Sequence, residues 1–391
     1  MKILILHQHF NTPQRGGAIR SYYLAKALVD RGIETIVISG HNEKNYRLEN
    51  IEGIDVHFLP IAYDNTFGFW KRSFSFIHYL FSSVRLAKQF RDVSTCYAIS
   101  VPLTIGLAAR WIKWRYKIPY IFEVGDLWPD APIQMGYVDN YFFKSLLYQL
   151  ETSIYRDAKS IVALSPMIKS AIEKKINGKT IHLIPNMADT DFYKPESKSL
   201  GIEQKHGVDG KFIVSYIGAI GVANGLDFFL ECARASLKRG QNIHFIICGE
   251  GAVLKRLKEA AQRLQLSNLT FLDFQNREGV REVMNITDAA FVCYKDVPIL
   301  ETGSPNKYFD ALAAGKLIVA NFGGWIKDEV EEHHCGIYIN PRQPDDFADK
   351  IELFIYDKQK LLEYQKTARV LAESKYSRAI LSERFAKIFA A

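Results

Sequence analysis

A short apolar strand, a glycine-bearing turn and an amphipathic helix occur in that order twice along this chain, and the repeat sets the fold class. Ile3–Leu6 reads as a short buried strand, Gly16-Gly17 follow, and Ile19, Tyr22, Leu24 and Leu28 fall at helical spacing before Ile36–Ile38, the next strand. Tyr120–Val124, with Pro119 ahead of it where a strand tolerates proline, and Ile161–Leu164 continue the series. The rhythm restarts after a polar stretch near residues 194–210. Phe212–Ile217 is a strand, followed by Gly218, Gly221 and Gly225 and a helical run over Leu226–Ser236. Ile243–Cys248 ends in Gly249-Glu250-Gly251, and Leu269–Leu272, Ala289–Cys293 and Leu317–Ala320 complete the second set. Strands alternating with helices build a parallel, doubly wound sheet. The expectation is an α/β chain of two Rossmann-like domains with facing parallel sheets and a cleft between them. The first covers 1–190, 191–204 is a linker, the second covers 205–375, and a C-terminal helix over about 376–391 returns to the first.

Charge separates the halves. Residues 1–200 carry 25 basic and 18 acidic side chains, and residues 201–391 carry 25 of each, so the whole net charge of +7 lies in the first half. One half can therefore face an anionic surface while the other does not. The five cysteines are odd in number and widely spaced, which suggests neither a disulfide framework nor a cysteine metal site and fits a reducing cytoplasm. No signal peptide and no apolar run long enough to cross a membrane is read.

Ligands of such sheets bind at the C-terminal ends of the strands. Neither glycine cluster fits G-x-G-x-x-G with an acidic residue about twenty positions on, which disfavours a dinucleotide dehydrogenase. The glycines otherwise serve as tight turns or as close-approach loops. The most specific stretch is Val297–Val319. There Ser304 suits a helix N-cap and Pro305 the first helical position. The free N–H groups of that turn, with Asn306 and Lys307, would favour a diphosphate. Asp310, about a turn and a half in, could accept hydrogen bonds from a ribose diol. An ordinary capped helix is the competing reading, in which Lys307 is simply solvated.

This segment resembles the donor-binding helix of the retaining GT-B glycosyltransferases of family 4. Asp310-Ala-Leu-Ala-Ala-Gly315 matches the second half of that family's pattern, and Pro-Asn306-Lys307-Tyr-Phe-Asp310 is similar to the version in bacterial O-antigen, capsular and exopolysaccharide assembly. The family's other glutamate falls at Thr302, with Glu301 one position early, so these two are the candidate donor-sugar contacts. Gly16-Gly17-Ala-Ile-Arg20 resembles its N-terminal glycine loop, Phe122–Asp130 (FEVGDLWPD) its first-domain motif, and Tyr216–Leu226 and Cys248–Gly251 the turns of its second domain. The resemblance spans nearly the whole chain and implies a GT-B fold. It implies donor-binding roles for Gly17, Arg20, Gly218, Gly249, Glu250, Gly251, Ser304, Asn306, Lys307 and Asp310, with Asp126 at the reaction centre.

Departures shift the burden between residues. Where many members carry Arg and Lys on the Gly218 loop, this chain has Ala219 and Asn224, and where many carry a histidine it has Gly125. The phosphates must then rely on helix N-termini, Lys307 or Arg20, and Asp126 is the nearest polar candidate. Sugar transfer leaves negative charge on the departing phosphate, and stabilising it is a large electrostatic task. Asp189-Thr190-Asp191 has the metal-binding Asp-x-Asp form of a different glycosyltransferase fold, but its place after Pro185-Asn186 marks it as a decoy, and no metal or other cofactor is expected. Glu123 and Asp126, three apart on an extended segment, point to opposite sides and do not form a hydrolase pair. His7 and His9 are too few for zinc.

Residues 65–91 carry five basic and no acidic side chains among many aromatics. Phe69, Trp70, Lys71, Arg72, Arg85 and Lys88 are the candidate membrane-contacting residues, suited to an anionic interface, and Trp111–Lys117 (WIKWRYK) is a second such patch. The aromatics could instead be core. No recognised nucleic-acid module accompanies the charge, so no nucleic-acid partner is expected. The combined expectation is a hexosyl- or glycosyltransferase that moves a sugar with retention from a nucleotide-sugar, of the UDP type, to a saccharide. By resemblance the acceptor is a polyprenyl-diphosphate-linked glycan of lipopolysaccharide or other surface-polysaccharide biosynthesis. The enzyme would be cytoplasmic and peripheral on the anionic inner face of the plasma membrane. The alternatives are a GT-B nucleotide-sugar 2-epimerase and a non-catalytic nucleotide-sugar-binding protein.

Overall fold

In the computed structural model residues 1–14, 16, 19–64 and 67–389 are described. The chain divides into two units. Met1–Pro185, Thr302–Ser304 and Leu381–Ala391 form the first, and Asn186–Glu301 with Pro305–Ile380 the second.

The first unit runs β1 (Lys2–Leu6), α1 (Arg20–Val29), β2 (Glu34–His41), β3 (Arg47–Ile51), β4 (Ile54–Pro60), α2 (Phe69–Ala87), β5 (Thr95–Ile99), α3 (Thr104–Tyr116), β6 (Tyr120–Val124), α4 (Asp130–Gln134), α5 (Tyr141–Asp157), β7 (Ser160–Ala163), α6 (Pro166–Lys175) and β8 (Ile181–Leu183). Its eight strands lie in the order β3-β4-β2-β1-β5-β6-β7-β8. All pair in parallel except β3, which returns antiparallel on β4 through a turn whose Glu52 and Gly53 have φ of 50° and 88°. The inner strands are continuous apolar runs because a parallel sheet is covered on both faces: Ile3, Leu4, Ile5 and Leu6 are all fully buried.

The second unit runs α7 (Leu200–His206), β9 (Phe212–Ile217), α8 (Asp227–Lys238), β10 (Ile243–Cys248), α9 (Leu254–Arg263), β11 (Leu269–Leu272), α10 (Arg277–Ile286), β12 (Ala289–Val292), α11 (Asn306–Ala313), β13 (Leu317–Ala320), α12 (Trp325–Glu332), β14 (Gly336–Tyr338), α13 (Pro344–Tyr356) and α14 (Lys358–Leu371). All six strands are parallel, in the order β11-β10-β9-β12-β13-β14. Phe229, Phe245, Phe291 and Phe347 interlock between β9, β10, β12 and the helices α8 and α13 that cover them. The strand order reverses between β1 and β5 in one sheet and between β9 and β12 in the other, so each unit has one switch point where a ligand can enter.

The segment expected to be a linker, 191–204, belongs to the second unit. Tyr193 is buried, Lys198 bonds Asp288, and α7 begins at Leu200. The last helix, α15 (Arg378–Lys387), enters the first unit from Leu381, where Phe385 and Phe389 pack edge-on against Tyr97 of β5.

Candidate functional site

Two glycine loops close the C-terminal ends of β9 and β10. Gly218 N–H bonds the carbonyl of Cys248 at 2.9 Å and Ile220 N–H that of Glu250 at 2.8 Å. The loops approach so closely that only glycine fits. A Cβ on Gly249, whose φ is +144°, would lie 2.1 Å from the Gly218 carbonyl oxygen, and one on Gly251 would lie 2.4 Å from that of Ile220. Glu250 contributes its carbonyl to this lacing and leaves its side chain exposed. Asn224, at the position where many members of the resembled family have lysine, accepts Gly221 N–H on Oδ1 at 3.0 Å. It shapes the loop.

Lys307 stands under this loop. Its Nζ donates to the Tyr216 hydroxyl at 2.7 Å, and that hydroxyl donates to the Ala219 carbonyl at 2.6 Å. The amine lies 4.2 Å from the centre of the Tyr216 ring, and burial lowers its pKa to about 8. The sequence marks Tyr216 as part of the Gly218 turn but not as a partner of Lys307, because an aromatic at a strand end carries no such signal. Three residues on, Asp310 shares the face of α11 with Lys307. Burial raises the Asp310 carboxyl to about 7, with Arg277 opposing and Asp189 adding to the rise.

The start of α11 corrects one expectation. Pro305, with φ −73° and ψ 131°, occupies the N-cap position with no side-chain cap, and Asn306 is the first helical residue and exposed. Ser304 lies one residue outside the helix. Thr302 and Ser304 group with the first unit, where Ser165 Oγ donates to the Thr302 carbonyl. Glu301, on a 3-10 turn over Pro298–Thr302, lays its carboxylate beside Gly323, its Oε1 2.9 Å from where a Cβ there would sit.

Arg20 is the second correction. Its Nε and Nη2 grip the two oxygens of buried Glu123 at 3.1 and 2.9 Å, Nη2 also donates to the Ile184 carbonyl at 2.9 Å, and Nη1 donates to that of Pro185. Four of its five N–H groups are thereby committed inside the first unit, which makes it a structural tie and leaves one N–H for any other partner. Tyr97 also donates to Glu123, which explains why this carboxylate can be buried. Asp126 lies just past β6 with its side chain exposed to solvent. Gly17 lies outside the described residues.

The Asp-x-Asp stretch is occupied. Asp189 accepts from Arg277 and Arg378, and Arg378 also reaches Asp191. Among the described residues no group of three or more His, Cys, Asp or Glu side chains is placed to hold a metal ion.

On the first unit, α2 turns Tyr79 inward, its hydroxyl on the Ile38 carbonyl, and turns Trp70, Phe74, Ile77 and Phe81 to the outside, 83, 69, 49 and 68% exposed. Those four are not core. Lys71, Arg85 and Lys88 are exposed beside them, Arg72 is half-buried, and Phe69 opens the helix, with its side chain outside what is described. Tyr141 and Phe142 at the start of α5 are also exposed, and the sequence reading passed them over. Among the described residues no helix is long and apolar enough to cross a membrane.

Two family models match the chain: "Glycosyltransferase Family 4" over residues 15–192 and "Glycosyl transferases group 1" over 201–371. Among curated proteins it is 20% identical over 246 residues to alpha-D-kanosaminyltransferase of Streptomyces kanamyceticus, a match spanning 61% of this chain and 62% of that one. Among solved structures it resembles sucrose-phosphate synthase of Thermosynechococcus elongatus, with a TM-score of 0.79 and 14% identity over 100% of this chain and 98% of that one. It also resembles HepE of Anabaena in complex with UDP and glucose, with a TM-score of 0.73 and 19% identity over the full length of both.

Proposed function

We propose that this chain, whose two halves match the models "Glycosyltransferase Family 4" and "Glycosyl transferases group 1", is a GT-B glycosyltransferase that transfers a sugar with retention from a UDP-sugar to a polyprenyl-diphosphate-linked glycan during surface-polysaccharide assembly. The observation that carries this reading is the pairing of Lys307 and Asp310, three residues apart on one face of α11, with the Lys307 amine lodged under the Gly218 loop. A loop of close-approach glycines with a cation is built for a diphosphate, and a carboxylate one turn away is built for a ribose diol. The UDP complex of HepE is the matching precedent among chains of this fold.

Bond breaking at the anomeric carbon adds one negative charge to the two that the diphosphate already carries. Loop N–H groups and the Lys307 ammonium meet that charge, and no metal is invoked. The acceptor oxygen attacks from the face the phosphate leaves, and its proton passes to the departing phosphate oxygen, so configuration is kept without an enzymic nucleophile. Asp126, exposed just past β6, serves to orient sugar hydroxyls. Glu301 is the carboxylate offered to the donor sugar, in preference to Thr302. The exposed aromatics and cations of α2 complement an anionic membrane surface and hold the enzyme at the inner leaflet, where such an acceptor resides.

A thermal-shift screen against UDP-, GDP- and TDP-sugars tests the donor half of the reading. A shift specific to UDP-sugars, reduced by Asp310→Ala, is expected. Equal responses of parent and variant would remove Asp310 from the donor site.

A further inference from the structure

A groove of about 910 Å³ opens between α2 and α3 of the first unit. Phe81 and Val84 of α2 and Leu107, Trp111 and Trp114 of α3 line it. The α3 residues recur at steps of four and three, so they form one stripe along the helix. Trp114 is 68% exposed and Trp111 37%, which leaves two indoles at the mouth. Beside them Arg110, Lys113 and Lys117 form a parallel basic stripe on the same helix, opposed within the lining only by Asp157. Asp157 is engaged by Arg110 through its carboxylate and by Lys113 through its carbonyl, which leaves the Lys117 charge uncompensated by the lining.

The position of the groove separates it from the chemistry. Pro119, immediately before β6, is part of its wall. It therefore lies at the N-terminal edge of the sheet, whereas ligands of such sheets react at the C-terminal edge. The exposed stripe from Trp70 to Phe81 spans about 16 Å along α2 and ends at the groove.

Lys117 supplies a further observation. It closes α3 in the left-handed conformation, φ 63°, with its N–H on the Lys113 carbonyl, a position that favours glycine.

We propose that this groove is a discrete site for one anionic phospholipid, seating an acyl chain between α2 and α3 and the headgroup phosphate against Lys117 and Lys113. It is an anchor distinct from the acceptor site, and it rests on the membrane-facing reading above. The apolar floor matches a hydrocarbon chain and the one-sided cationic rim matches a headgroup phosphate.

The test uses dihexanoylphosphatidylglycerol as a monomeric lipid, with dihexanoylphosphatidylcholine as the neutral control and tryptophan fluorescence as the readout. Saturable binding of the anionic lipid, tighter than that of the control, is expected. Lys117→Gly is expected to weaken it about fivefold, the effect of one cation at a lipid surface, while the Tm holds or rises because glycine suits the left-handed position. Val84→Trp, which fills the groove, is expected to abolish it. Equal binding of the two lipids, no saturation, or indifference to Lys117→Gly would overturn the proposal. Phosphatidylglycerol vesicles separate it from the broader reading. Vesicle adsorption that depends on Trp70 and Phe74 without monomer binding removes the groove and leaves the membrane face, whereas absence of adsorption removes both.

Discussion

Asp310 is where function and stability pull apart. Its carboxyl titrates near 7 in the fold against 3.8 in an unfolded chain, so between those values the native state holds the extra proton. Native stability therefore falls as pH rises from about 4 to about 7, and the penalty persists above that. Asp310→Asn is expected to raise the Tm at pH 8 by the equivalent of roughly 1–2 kcal/mol, discounted for partial solvent access, with no gain near pH 4. The same variant should lose about 1–3 kcal/mol of donor binding at pH 8, measurable by calorimetry. With Lys307 losing its proton near 8, parent affinity should peak between pH 7 and 8 and fall on both sides. Arg20 behaves oppositely. Arg20→Met strands buried Glu123 and should cost about 3–5 kcal/mol of stability in denaturant unfolding, with donor affinity of the folded fraction unchanged. A selective loss of donor affinity would return Arg20 to the phosphate site. None of this pairing was legible in the sequence, because Glu123 lies 103 positions from Arg20 and no local pattern connects them. Ser304 was misplaced for a smaller reason: a serine before proline looks like a cap, but here the proline itself takes the cap position.

At the scale of elements, the strands that read clearly are those buried on both faces. Tyr120–Val124, Phe212–Ile217 and Ile243–Cys248 form with the boundaries expected of them, because a covered parallel strand is an unbroken apolar run. The edge strand β3, Arg47–Ile51, holds three polar residues among its five and no apolar run, and the Glu52-Gly53 turn returns it antiparallel to β4. The glycine loops read correctly as loops, but which glycine is indispensable depends on a neighbour 31 residues away in the chain. Gly249→Ala drives a methyl into the Gly218 carbonyl and should cost at least about 1–3 kcal/mol, as well as displacing the loop over Lys307. Gly136→Ala, with open space around its Cβ position, should cost only the left-handed penalty of about 1 kcal/mol. Equal Tm losses for the two would show that the loops do not interlock.

For the whole molecule, the +7 charge of the first half and the aromatics of residues 65–91 and 111–117 have a place. The cations of α2 and α3 lie beside exposed tryptophans, while the balanced second half holds the loops and helix suited to a nucleotide. Replacing Lys71, Arg72, Arg85 and Lys88 with Gln should weaken adsorption to phosphatidylglycerol vesicles by about 1 kcal/mol per residue in a sedimentation assay, with donor binding unchanged. Equal sedimentation of parent and variant would detach the charge from the membrane. The claim joining both halves is acceptor-dependent transfer, and radiolabel from UDP-sugars measures it directly. The account predicts label moving into the organic phase with a polyprenyl-diphosphate-linked glycan, one UDP released per sugar, and loss of both in Asp310→Ala. UDP-sugar interconversion without acceptor, or donor binding with no UDP release in the presence of acceptor, would contradict it.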